Sequence, residues 1–252
     1  MKASRRRPGV AVIVPTWNER ENIGTLLSRL SEVLAGYSYR LVVVDDGSPD
    51  GTADVVSELQ EENPRVLLFQ RESKLGLASA VLTGAEACDS EIAVMMDADL
   101  SHDPRVVPGL VEMISRGYDV AIGSRYIPGG AVVNWPWARR LTSRVATWFA
   151  RALLRPGAKD PMSGFAAFRR ELLLDLPTHY SARGFKLLLE VLVTRAPLKV
   201  AEVPITFAQR ERGKSKMGVR ELFGFLALCL RLLRWKLSRP FARQDYESEE
   251  ED

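Results

Sequence analysis

Residues 92–99 read Ile-Ala-Val-Met-Met-Asp-Ala-Asp, five apolar residues followed by two carboxylates one residue apart. The run is continuous rather than alternating, the mark of a strand buried on both faces of a sheet. Four further runs share the pattern: Val10–Val14, Leu41–Val44, Val66–Phe69 and Val120–Ile122. Between them Ile23, Leu26, Leu27, Leu30 and Leu34 recur at helical spacing, as do Val55, Val56 and Leu59. Strands alternating with helices predict an α/β layered fold, a mostly parallel sheet flanked by helices, with ligands at the carboxyl ends of the strands. Polar residues stand where that rule puts them, at Pro15–Glu19, Asp45–Ser48, Asp97–Asp99 and Ser124–Arg125. A helix is expected around Phe185–Val193, a strand at Val200–Val203 and a last helix over residues 219–237.

Asp97 and Asp99, at i and i+2 of an extended turn, can converge on one hard cation directly or through water. Mg²⁺ or Mn²⁺ held so keeps open positions for phosphate oxygens. Two acids at a strand end are also common without any metal, so this pair alone leaves both readings open. Asp103-Pro104 reads as a helix N-cap with proline in the first turn. Asn18 with Glu21 reads as a capping box, which leaves Trp17 and Glu19 free for a base or ribose. Gly47, Pro49 and Gly51 are turn residues. Asp45-Asp46 directly after a buried run is harder to reduce to turn chemistry, and one of the two could accept hydrogen bonds from a base. No Gly-x-Gly-x-x-Gly follows the first run, and Gly213-Lys214-Ser215 lacks both the earlier glycine (position 208 is Ala) and a preceding strand. Dinucleotide and P-loop sites are excluded on those grounds.

The 252 residues carry a net charge of +3, but six of the 32 acids lie in the last eight positions. Residues 1–244 hold 35 basic against 26 acidic groups, a net of +9 that favours phosphates or an anionic membrane surface. Cys88 and Cys229 lack metal-ligand spacing and fit a reducing, cytoplasmic setting. Val10–Val14 is too short for a secretory signal, and no run reaches the ~20 apolar residues of a membrane span. Arg139–Arg155 contains five arginines and no acid. Arg140, Arg144, Arg151 and Arg155 form one helical stripe, with Leu141, Val145, Trp148, Phe149, Ala152 and Leu153 expected on the opposite side. Such a stripe is ordinarily a solvated face; without balancing acids, and after a Trp-rich loop, it favours contact with anionic lipid. In the last helix Leu222–Leu230 is uncharged and Arg231, Arg234 and Lys236 follow among Leu and Trp235, with Arg220, Arg231 and Arg234 on one face. It reads as a core element or an interfacial anchor, the flanking Trp and basic residues favouring the interface.

Seven stretches in order, V-P-T-W-N-E-R-E-N-I (14–23), V-V-D-D-G-S-P-D-G-T (43–52), M-D-A-D-L-S-H-D-P (96–104), G-S-R-Y-I-P-G-G (123–130), R-R-L-T-S-R (139–144), D-P-M-S-G-F (160–165) and F-A-Q-R-E-R-G-K-S-K (207–216), resemble the inverting GT-A glycosyltransferases of family 2. Within them the chain is similar to the dolichol- or polyprenol-phosphate mannose synthases. The resemblance implies a Rossmann-like GT-A domain at 10–218, after a basic extension at 1–9. An amphipathic membrane-interface helix at 219–240 and an acidic disordered tail at 241–252 complete the expected organisation. It implies that Pro15, Trp17, Glu19, Val44 and Asp46 line a nucleotide pocket, and that Asp97, Ala98 and Asp99 serve diphosphate and metal. Arg125 would reach the donor from the far side, Arg210 and Lys216 would close over the diphosphate, and Arg139 and Ser143 would bind a lipid phosphate. Ser101 stands where the family often has a metal-ligating Gln, and its shorter side chain leaves room for a water.

A phosphate monoester acceptor, with its second pKa about 6, is anionic near neutrality and needs no general base. His102 and His179 are accordingly expected to be structural. The implied reaction is inverting mannosyl transfer from GDP-mannose to a dolichyl or polyprenyl phosphate, with Mg²⁺ or Mn²⁺, on the cytoplasmic side of a membrane. Alternatives are a UDP-glucose or other UDP-sugar donor on the same lipid, or a non-catalytic membrane-surface adaptor. A separate membrane-anchoring subunit would fit a chain without a span of its own. Nucleic acid is not expected, since the aromatics form no stacking platform.

Overall fold

A computed structural model describes residues 8–176, 186–208 and 219–238. The five apolar runs form β1 (Val10–Thr16), β2 (Tyr39–Asp45), β3 (Val66–Gln70), β4 (Ile92–Met95) and β5 (Val120–Ser124). Helices α1 (Arg20–Val33), α2 (Thr52–Glu62), α3 (Leu77–Glu86) and α4 (Val107–Ser115) alternate with them. Then come β6 (Ala131–Val132), α5 (Trp137–Leu154), β7 (Ala166–Arg169), α6 (Glu171–Leu174), α7 (Leu187–Thr194), β8 (Val200–Pro204), β9 (Thr206–Phe207) and α8 (Val219–Ser238).

The main sheet runs β3-β2-β1-β4-β7-β5-β8. Every pairing is parallel except those of β7, which is antiparallel to both β4 and β5. Continuous apolar strands are needed because both faces are covered. Val10, Val12, Val14, Leu41 and Val43 join one core cluster with Ile23, Leu26, Leu30 and Leu110. Their neighbours Ala11, Ile13, Val42 and Val44 join the other with Val81, Leu187 and Val191. The second layer packs closely: a Cβ on Gly84 of α3 would stand 2.5 Å from Ile13 Cγ2.

The sequence did not reveal β7, and β7 organises the site. Because it runs against β4 and β5, with Ala166 opposite both Met95 and Ile122, the segment entering it arrives at their carboxyl ends. Residues 160–165 are thereby delivered to Asp97 and Arg125.

α5, α7 and α8 share a third cluster of Ala150, Leu154, Leu189, Phe225, Leu228, Cys229 and Leu232. The last helix is therefore a core element on one face, while Phe223, Leu226, Leu230 and Leu237 stay exposed on another. Among the described residues no helix is long and apolar enough to cross a membrane.

Candidate active site

At the carboxyl ends of β1 and β2 the two adjacent acids divide their work. Asp45, wholly buried, accepts from Thr16 Oγ1 (2.8 Å), Ser48 N (2.8 Å) and Ser48 Oγ (2.6 Å), so it builds the turn. Asp46 instead accepts from Arg71 Nη2 and, at 3.0 Å, from Gly76 N. Arg71 also donates to Ser79 Oγ (2.7 Å) and Gly76 O (3.2 Å). Arg71 follows β3 just as the other site residues follow their strands; the same placement rule would have found it. Lys74 Nζ lies 4.5 Å from the centre of the Trp17 ring, a cation on the aromatic face.

Three expectations near this end change. Asn18 makes no capping box: its φ is +59°, its N–H donates to Ser48 Oγ (2.9 Å), and α1 begins at Arg20 with Glu19 as N-cap residue. The first turn is served from the β2 loop, where Asp50 Oδ2 accepts from Arg20 N (3.2 Å), while Glu19 accepts from Asn22 Nδ2 (2.8 Å). Val44, paired with Pro15 in the sheet, has no exposed surface and belongs to the second core cluster. Its side chain is packed within the sheet's core. Ala98 likewise turns into the first core cluster, which pins the acidic turn to the body.

Asp97 keeps a partly exposed side chain, 31%, while Asp99 is buried and accepts from Ser101 N through Oδ1 (3.1 Å). Leu100 between them and Ser101 has φ +58°, the kink that folds the turn back. Gly164 lies against Asp97 so tightly that a Cβ there would meet Oδ2 at 2.7 Å. His102 Nε2 stands 3.6 Å from the same oxygen, and its ring packs against Phe165 (5.0 Å) and Phe207 (4.7 Å). Asp103 accepts from Arg105 N (2.9 Å) as the N-cap of a 3₁₀ turn at Pro104–Val106, as expected.

These residues fit a divalent cation. Ser101 Oγ is buried without a hydrogen-bond partner among the described residues, next to two carboxylates and a glycine cradle. No described group of three or more His, Cys, Asp or Glu side chains could enclose a metal. Asp97 and Asp99 are the carboxylates of this turn, oxygen ligands of the kind that hard cations such as Mg²⁺ take.

Arg125 has a partner the sequence reading did not assign. Its backbone N–H, Nε and Nη2 donate to buried Asp160 at 3.0, 2.7 and 2.7 Å. Desolvation pulls the guanidinium pKa down, but Asp160, with help from Tyr126 and Asp97, raises it above the ordinary arginine value. Asp160 offsets that charge, so Arg125 is a fixed donor of its remaining N–H groups rather than a free cation reaching across the site. Lys186, at the start of α7, is close enough for Arg125, Asp97 and Asp160 to act on it. Burial and Arg125 lower its pKa; the two carboxylates oppose them.

The arginines of residues 139–155 differ in exposure, and Arg140, expected in the outward stripe, is half-buried like Arg139. Arg139 and Ser143 are half-buried on the body side, with the Arg139 guanidinium 4.0 Å from the centre of the Trp135 ring and Ser143 Oγ 2.9 Å from Tyr126 Oη. Trp135 packs edge-on against Phe207 at 5.3 Å, so rings connect Arg139 to His102 and Asp97. Arg144, Arg151 and Arg155 are exposed. Of the apolar residues expected opposite them, Phe149 and Leu153 pack against the third cluster, but Leu141, Val145 and Trp148 are 53, 54 and 68% exposed. Basic and apolar stripes both face outward, side by side. Arg210, Lys216 and His179 lie outside the described residues.

A family model described as Glycosyl transferase family 2 matches residues 11–176. Dolichol-phosphate mannosyltransferase of Pyrococcus furiosus is 44% identical over 229 residues, 90% of this chain and 64% of that protein. Polyprenol monophosphomannose synthase of Mycolicibacterium smegmatis is 42% identical over 215 residues, 82% of this chain and 80% of that one. The chain thus spans a little under two thirds of the first relative and four fifths of the second. Among solved structures, glucosyl-3-phosphoglycerate synthase of Mycobacterium tuberculosis, crystallised with Mn²⁺, UDP-glucose and phosphoglyceric acid, superposes with a TM-score of 0.68. It is 23% identical, with 93% of this chain and 81% of that one covered, a likeness of fold. The chain belongs to glycosyltransferase family 2, with the mostly parallel, helix-flanked sheet of the GT-A fold.

Proposed function

We propose that this chain transfers mannose from GDP-mannose to a dolichyl or polyprenyl phosphate at a membrane surface, with inversion at the anomeric carbon. The observation that carries the proposal is the link between two anion-handling groups. Asp97 and Asp99 follow β4, and the rings of His102, Phe207 and Trp135 connect Asp97 to Arg139, with Ser143 one helical turn further along α5. The names and 42–44% identities of the two curated relatives agree with it.

In this reading Pro15, Trp17, Glu19 and Asp46 hold the nucleotide. Asp97 and Asp99 hold a divalent cation, Mg²⁺ or Mn²⁺, with the Ser101 hydroxyl or a water beside it. When bound, the cation offsets the negative charge that develops on the leaving diphosphate. Arg125 contributes fixed N–H donors, and Arg210 and Lys216 add positive charge. Arg139 and Ser143, one helical turn apart, orient the attacking phosphate oxygen. That oxygen is already anionic, so no residue has to remove its proton. The exposed stripes of α5 and α8 rest on the cytoplasmic face of the membrane that carries the acceptor.

The test is a donor panel. Purified protein with a polyprenyl phosphate should form a mannosyl-phospholipid from GDP-mannose and little product from UDP-glucose, and chelation should stop the reaction. Preference for UDP-glucose would replace the donor. Product from neither would favour a membrane-surface adaptor.

A further inference from the structure

Tyr126 belongs to none of the groups assigned so far, yet it touches two of them. Its hydroxyl lies 2.9 Å from Ser143 Oγ, and its ring lies 5.2 Å beneath the Arg125 guanidinium. It stands two residues after β5, next to Arg125, whereas Ser143 rides on α5. The contact therefore ties the helix that would bind the acceptor to the strand end that carries Arg125.

The chemistry of the contact is specific. Two hydroxyls bring two protons, and their mutual hydrogen bond uses one. The other remains for an anion. If Tyr126 donates to Ser143, the serine proton is free to point away from the tyrosine. An anion accepting that proton polarises the pair in the same direction and strengthens both bonds. A lone serine on a helix would instead tend to donate to the carbonyl one turn back. The described contacts of Ser143 Oγ lead to Tyr126.

We propose that Tyr126 is a positioning residue for the acceptor: it holds Ser143 so that the serine hydroxyl donates to the acceptor's phosphate, while its ring supports Arg125. This rests on the proposed acceptor role of Arg139 and Ser143. Removing the tyrosine hydroxyl should act only through the serine.

Isothermal titration of the full chain with farnesyl phosphate, a short polyprenyl phosphate, tests this without depending on the sugar donor. Tyr126→Phe keeps the ring under Arg125 and should raise the Kd about five- to tenfold, with Ser143→Ala similar. The double variant should be no worse than Ser143→Ala, and GDP-mannose affinity should be unchanged in all three. A Tyr126→Phe effect that multiplies with Ser143→Ala, or equal weakening of GDP-mannose, would overturn the positioning role. If Ser143→Ala weakens binding and Tyr126→Phe does not, the inference falls and the acceptor site stands. If neither matters, the acceptor assignment falls with it. Tyr126→Leu, which also removes the ring, should lower kcat further than Tyr126→Phe; equal kcat would count against support of Arg125.

Discussion

Gly164 shows how narrowly the acidic turn is set. A single methyl added there would come within 2.7 Å of Asp97 Oδ2, so Gly164→Ala must displace that carboxylate. Neighbours of metal-ligating groups commonly control affinity by about 10- to 100-fold, and a comparable rise is expected in the Mn²⁺ concentration needed for half-activation. Calorimetric Mn²⁺ binding should weaken in parallel, while the melting temperature moves by only a few degrees. An unchanged Mn²⁺ affinity would separate Asp97 from the metal. The acids themselves were legible because they end a strand run. Their partners were not: Asp160 meets Arg125 only because β7 turns back between β4 and β5, a long-range fact that no local pattern encodes. Arg71 was overlooked although it obeys the strand-end rule. Asn18 misled because Asn also favours left-handed backbone, the conformation it actually adopts.

At the scale of elements, the five parallel strands could be read from their runs, and α1 and α2 from their periodicity. β7 could not: Ala166 and Ala167 are small and only four residues pair, so it lacks a β-branched signature. The two-sided character of α8 was half legible, because apolar spacing does not say which apolar face is covered. Trp148 and Leu141 of α5, and Leu230 of α8, remain outside. Each large apolar side chain that enters a lipid interface contributes roughly 1–2 kcal/mol. Leu141→Glu with Trp148→Glu should thus weaken binding to anionic vesicles by at least about tenfold. Both positions are exposed, so thermal stability should hold; undiminished vesicle binding would remove α5 from the interface.

The join between α7 and α8 carries its own pH signature. Glu190, 1% exposed, accepts from Arg231 Nη2 at 2.8 Å. Burial outweighs the attraction of Arg231 and pushes the carboxyl pKa up to about 7. A carboxyl whose pKa is raised by folding contributes most below its unfolded value near 4.5 and loses that contribution as pH rises through about 7. Relative to Glu190→Gln, the wild-type melting temperature should therefore fall between pH 5 and pH 8. A constant difference across that range would show that burial does not control this group.

For the whole molecule, two core layers hold a mostly parallel sheet, and the proposed chemistry sits at the carboxyl ends of its strands and on α5. The charge is uneven along the sequence, a net of +9 over residues 1–244 and six of the 32 acids in the last eight positions. A family 2 glycosyltransferase working at a membrane needs its donor site fixed to the sheet and its acceptor site on the helices nearest the lipid. In the proposed reading β4 carries the donor site and α5 the acceptor site. The most direct test of the account is the rate of mannosyl-phospholipid formation by Asp99→Asn, which keeps the shape of the side chain and removes its charge. The account predicts a fall of about a hundredfold or more with an unchanged melting temperature. A folded Asp99→Asn protein that transfers within about tenfold of wild type would contradict the central role of the Asp97-Ala98-Asp99 turn.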